Sequence, residues 1–248
     1  NWLEEGVNVM FPLEIQAGVE PMDWRKEFGK DLLFRGGLNK YALVEGGKAV
    51  DRIAEKIPEL PSPTVTSSGS STISICSFNI QFLGSSKDRD DEALASILRD
   101  YDIVVVQELV APPYPATFPD GTPVKPDPEA AEFFDAMKAL GFTYWLSEED
   151  TGTGTKIHSN GTNTEWWVTF YREGKLDRAL DLPHGFLAED RSDSEDYERV
   201  PYAFSFRSGD NGADFVLISV HLQPGSGRKD AARRKHELGS IAGWIDAN

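Results

Sequence analysis

Cysteine is almost missing from this sequence: Cys76 is the single one in 248 residues, so no internal disulfide can form. Long hydrophobic runs are missing too. Stretches such as Ile103–Val106 and Phe215–Ile218 fall far short of the roughly 20 apolar residues that a bilayer-crossing helix needs. The N-terminus, Asn1-Trp2-Leu3, has no basic-then-apolar signal pattern, and the compartment stays open. Positive charge is scarce, with 25 Lys and Arg against 41 Asp and Glu and a formal net charge of -16. A protein that grips nucleic acid by neutralising phosphates is basic, so this balance argues against long-range steering of DNA. Acidity suits the collection of divalent cations; its plainer reading is solubility. What remains is ordinary for a globular chain: 40% hydrophobic and 11% aromatic residues exclude a wholly disordered, collagenous or coiled-coil protein.

Proline is unevenly spread. Pro58, Pro61 and Pro63 precede a run of Thr, Ser and Gly, and residues 61–71 read as a linker. Proline lacks an amide donor, and Ser, Thr and Gly bury too little to offset the entropy of ordering. The linker separates residues 1–60, which hold 11 of the acids and 8 of the bases, from residues 72–248. Residues 1–60 alternate strand and helix, with strands expected over 7–13 and 32–36 and helices over 22–28 and 41–57, the cadence of a parallel α/β fold. The stretches Gly6–Glu14, Arg25–Leu32 and Gly36–Lys40 resemble the later part of uroporphyrinogen decarboxylase-like proteins, which are TIM barrels. That resemblance implies a βαβα fragment, about two of a barrel's eight βα units, without an assembled active site. Glu14 falls at a strand end, where a buried structural carboxylate is the plainer reading.

In residues 72–248 the alternation of Thr72–Ile80 predicts a strand with Asn79 near its C-terminal end. Leu94, Ile97, Leu98 and Tyr101 fall at i, i+3, i+4 and i+7, predicting an amphipathic helix that Asp88 or Asp90 caps. Ile103–Val106 is β-branched throughout and runs into Gln107-Glu108, which puts a carboxylate where a buried strand surfaces. A charge at the rim of a core is usually paired or bound to metal, and a carboxylate beside an amide oxygen suits a hard cation. Each residue also has a plainer role, Asn79 as a turn cap and Glu108 as the partner of an Arg.

Five segments stand in order: Ser77-Phe78-Asn79-Ile80-Gln81, Asp102–Glu108, Glu165–Arg172, Tyr197–Tyr202 and Ser219-Val220-His221-Leu222-Gln223-Pro224. In this order they resemble the endonuclease/exonuclease/phosphatase family, also called deoxyribonuclease I-like. The resemblance implies a four-layered α/β sandwich, two mainly antiparallel sheets with helices outside. It also implies hydrolysis of phosphodiesters or phosphomonoesters, nucleic acid among them. Mg²⁺ or Mn²⁺ would be held by Glu108 and Asn79, His221 would sit over the scissile phosphate, and Glu165 would orient that histidine. Asn163, Arg199 and Tyr202 would contact substrate. The chemistry is coherent, because in-line hydrolysis needs a cation and hydrogen-bond donors around the phosphate oxygens. Plainer roles are a satisfied histidine at a strand end for His221 and an Arg packed beneath loops for Arg199. Asn163 departs from a tyrosine found in some members.

The family's Gly-Asp-Phe-Asn strand end and later Asp-His pair do not follow Pro224, and Leu238, Ile241, Ala242 and Ile245 place Asp246 in a helix. The sequence therefore reads as an incomplete sandwich, C-terminally truncated, in a segment or fusion. The alternatives to a hydrolase are a catalytically inactive phosphate-binding module and a fragment of a uroporphyrinogen decarboxylase or corrinoid methyltransferase-like protein. Residues 111–128 carry seven of the 15 prolines and read as a stiff excursion before a helix over 129–140. Residues 151–156 and 189–196 read as polar and acidic loops. Arg228, Lys229, Arg233, Arg234 and Lys235 crowd the helix after His221, as a solvated face or a track for nucleic acid.

Overall fold

A computed structural model of the chain describes residues 9–13, 33–36, 72–85, 89–118, 120–152, 164–191, 194–209 and 212–248. The chain divides into two compact units, Asn1–Ser70 and Ser71–Asn248. In the first unit β1 (Val9–Leu13) and β2 (Leu33–Gly36) pair in parallel, Val9 opposite Leu33. The helices expected over 22–28 and 41–57, Glu14 and the linker over 61–71 lie outside the described residues.

The second unit is mixed α/β, with three helices among its described residues. One sheet has the order β3-β4-β8-β7: β3 (Ile75–Leu83), β4 (Ile103–Leu109), β7 (Thr143–Leu146) and β8 (Trp166–Tyr171). Only its β3–β4 pair is parallel. The other sheet sets β11 (Tyr202–Ser208) between β12 (Asp214–Ser219) on one side and β9 (Leu176–Arg178) and β10 (Gly185–Phe186) on the other. A small hairpin, β5 (Ala116–Thr117) and β6 (Pro123–Val124), lies in the proline-rich excursion.

Alternation along the strands divides the core. Val104 and Val106 join Ala95 and Leu98 of α1 (Asp91–Leu98) and Phe133, Phe134 and Met137 of α2 (Pro128–Ala139). Ile103 and Val105 turn the other way and pack with Trp145, Trp167, Tyr202, Phe204 and Phe206 between the sheets. Trp145 meets Phe204 edge to face at 5.5 Å, a geometry that adds about 1 kcal/mol beyond area burial. On the outer face of the second sheet Ala203, Val216 and Ile218 pack against Ile241 and Trp244 of α3 (Arg228–Ala247).

Element ends depart from the sequence pattern for local reasons. Strand β3 starts at Ile75 instead of Thr72 because Ser74 gives both its amide and its hydroxyl to Asp102, each at 2.7 Å. Helix α1 starts one residue after Asp90, whose carboxylate accepts from the Ala93 amide at 2.9 Å. It stops at Leu98, short of Tyr101, because the chain must turn at once to place Asp102 beside Ser74 and begin β4.

The paired strands β3 and β4 break register at the same level, β3 between Asn79 and Leu83 and β4 between Val106 and Leu109. Three non-glycine residues there adopt the left-handed region: Gln81 (φ 58°), Phe82 (φ 59°) and Glu108 (φ 65°). Such a conformation costs on the order of 1 kcal/mol per residue and persists only where its surroundings hold it.

Candidate active site

The register break is held by a clamp of Arg89, just ahead of α1, and Glu129 of α2. The Arg89 guanidinium donates to the carbonyls of Ile80 and Gln81, the latter at 2.8 Å. Glu129, in the first turn of α2, accepts from Arg89 Nε at 3.1 Å and from the Gly84 amide at 2.9 Å. The Gln81 amide in turn donates to Asn79 Oδ1 at 3.0 Å. Asn79 is thereby turned with its Nδ2 toward Glu108 Oε1, 2.7 Å away. A bulge that re-aims a side chain at a strand end is a recurrent device at functional sites.

Glu108 is only 7% exposed, and its second carboxylate oxygen, Oε2, is buried without a hydrogen-bond partner. Leaving a buried polar atom unpaired costs roughly 1–3 kcal/mol, more for a charged group. The Glu108 amide donates to Glu165 Oε2 at 3.0 Å. Glu165, 1% exposed and immediately before β8, uses its other oxygen, Oε1, for His221 Nδ1 at 2.5 Å and Arg199 Nε at 3.1 Å. Its backbone is pinned as well: its amide donates to the Thr151 hydroxyl at 3.1 Å, and its carbonyl accepts from the Thr151 amide at 2.7 Å. The Arg199 contact is an ion pair and not a hydrogen bond: its Nε and Nη1 are both buried without a hydrogen-bond partner among the described residues.

The structure therefore joins five of the residues singled out in the sequence, Asn79, Glu108, Glu165, Arg199 and His221, into one connected network. Tyr202 stands apart from it. Its ring is fully enclosed between the sheets, and its hydroxyl donates to the Glu148 carboxylate at 2.9 Å. Burial first, and the Glu148 charge second, push that hydroxyl well above the ordinary tyrosine range. Asn163 lies outside the described residues. Thr151 and the Arg89–Glu129 clamp had no motif to mark them.

A carboxylate accepts and does not donate, so His221 donates from Nδ1 and Nε2 is the ring's other hydrogen-bonding atom. Among the described residues no group of three or more His, Cys, Asp or Glu is arranged to hold a metal ion. A magnesium ion, however, keeps several waters and takes one or two carboxylates from a protein. The unpaired Glu108 oxygen fits that requirement, and Asn79 orients the carboxylate that carries it while its own Oδ1 retains a second lone pair.

Known proteins add little. No family model matches the chain, and no curated protein does. A solved structure that matches is the catalytic domain of human Nocturnin with bound sulfate anion, at 15% identity and a TM-score of 0.43, covering 71% of this chain. The chain spans 60% of that structure's length. A likeness of that degree carries no inference about this chain. The uroporphyrinogen decarboxylase resemblance of residues 1–60 finds no counterpart among family models or curated proteins. No helix among the described residues is long and apolar enough to cross a membrane.

Proposed function

We propose that residues 72–248 form a divalent-cation-dependent phosphodiester hydrolase with the four-layered deoxyribonuclease I-like architecture. The observation that carries this reading is the buried Glu165 carboxylate, which gathers His221, Arg199 and the Glu108 backbone around one point while Glu108 Oε2 is left unpaired. The network offers a cation a negative seat at Glu108 and a phosphate two positive or donor groups, His221 and Arg199.

Mg²⁺ or Mn²⁺ bound at Glu108 would supply the charge that neutralises the phosphoryl oxygens. Asn79 keeps the Glu108 carboxylate in one orientation, which limits the rearrangement that binding requires. Glu165 fixes the His221 ring through Nδ1, so that Nε2 can meet a non-bridging oxygen. Arg199 brings a planar guanidinium to the same point, and its Nε and Nη1, both without a hydrogen-bond partner among the described residues, are donors it can give to a phosphate oxygen.

The test is hydrolysis of a chromogenic phosphodiester with and without Mg²⁺. Wild type should be stimulated by the cation, and Glu108→Ala and His221→Ala should each lower kcat/KM by at least about 100-fold. Hydrolysis that survives both substitutions sinks the reading. Cation-dependent binding of inorganic phosphate without turnover replaces it with the inactive phosphate-binding module.

A further inference from the structure

Glu237 lies on α3, in the interior, 1% exposed, and is absent from the network around Glu165. Both of its carboxylate oxygens are occupied by backbone amides from two different loops. Oε1 accepts from the Glu198 amide at 2.8 Å, and Oε2 accepts from the Gln223 amide at 2.9 Å. Glu198 immediately precedes Arg199, and Gln223 lies two residues after His221. Neither loop belongs to a helix or strand at these residues, so neither has a ladder of its own to fix its position.

Neighbouring side chains on α3 hold the same two loops. Arg233 donates to the carbonyls of Ser194 and Glu195, on the Arg199 side. Arg234 donates to the carbonyls of Gln223 and Gly225, at 2.9 and 2.7 Å, on the His221 side. Residues 233, 234 and 237 are spaced i, i+1 and i+4, so Glu237 lies one turn beyond both arginines. The arginines each serve one loop; Glu237 serves both.

We infer that Glu237 is a positioning residue that holds the Arg199 loop and the His221 loop in register, so that both side chains reach Glu165 together. The inference rests on the reading of Glu165, Arg199 and His221 as the reactive cluster. A carboxylate is required because two amide donors converge on it and it offers two acceptors. Glutamine offers one acceptor oxygen and would turn an NH₂ toward the other amide, breaking one loop's bond at nearly constant volume. Outer contacts of this kind are typically worth about 10- to 100-fold in activity.

The experiment compares Glu237→Gln and Glu237→Asp in the full chain by two readouts. The first is the Nδ1 proton resonance of His221 in NMR spectra of the histidine rings, assigned with His221→Asn and with His184 as an internal control. The second is the split between kcat and KM for a phosphodiester with Mg²⁺. In Glu237→Gln the His221 resonance should shift or broaden while His184 stays unchanged. Its kcat should fall about 10- to 100-fold with little change in KM, and Glu237→Asp should recover part of the loss. If Glu237→Gln does not fold, Arg234→Met, which releases the His221 loop alone, carries the same readouts. An unchanged His221 resonance in the folded variant overturns the inference. A shifted resonance in a protein whose wild type hydrolyses nothing leaves Glu237 as a positioning residue and removes the hydrolase reading instead.

Discussion

Glu108 is where stability and the proposed chemistry pull in opposite directions. Its backbone occupies a region that disfavours side chains, and one of its oxygens is buried unpaired. A protein tolerates both only where something else is gained. Glu108→Gln keeps an acceptor for Asn79 and removes the buried charge. Without divalent cations it should therefore unfold at higher denaturant than wild type, by about 1 kcal/mol, while losing cation-stimulated hydrolysis. Urea titration in EDTA checks this, and a variant that is less stable than wild type contradicts it. Sequence made Glu108 visible because a carboxylate closes a run of four β-branched residues. Its left-handed backbone was not legible. No local pattern asks for it, and the contacts that hold the break come from Arg89 and from Glu129, 45 positions along the chain from Gly84.

Among the elements, α1 carries a titratable weakness at its start. Asp91 is 7% exposed, and neither of its carboxylate oxygens has a hydrogen-bond partner. Burial first, then the nearby Glu129 charge, raise its carboxyl to about 6. The sign follows from linkage. A raised carboxyl binds its proton more tightly in the folded chain, so its contribution is fully present below the unfolded value near 4 and is lost as pH rises through about 6. Asp91→Asn should thus add about 1 kcal/mol of stability at pH 7.5 and little at pH 4, read from denaturant midpoints at the two pH values. An equal gain at both would assign the effect to something other than this proton. Helix α1 itself was legible from its apolar spacing and from Asp90. Its true end was not, because Tyr101 continues the spacing while the Asp102–Ser74 contacts end the helix. Tyr202, Phe204 and Phe206 recur with period two and share the layer between the sheets.

For the molecule as a whole, a net charge of -16 makes cation binding favourable in general, so a specific site must be told apart from a diffuse atmosphere. At ten times its Kd a single bound Mg²⁺ adds about 1.4 kcal/mol, a rise of a few degrees in Tm. The shift should appear in wild type and vanish in Glu108→Gln; an equal shift in both, measured at constant ionic strength, means that the cation acts elsewhere. The strand at Ile103–Val106 was open to inspection of the sequence, since a strand buried on both faces reads as an unbroken β-branched run. The bonds that connect Glu165 to His221, or Glu237 to Glu198, span 56 and 39 positions, and no periodicity records contacts of that range. Glu165 has one further consequence. A single carboxylate acts as the bolt through three plates, so the histidine, the guanidinium and the bent strand come loose in concert when it is removed. Adaptation of this centre to new chemistry cannot then proceed one partner at a time, and laboratory evolution should find Glu165 frozen while its neighbours drift.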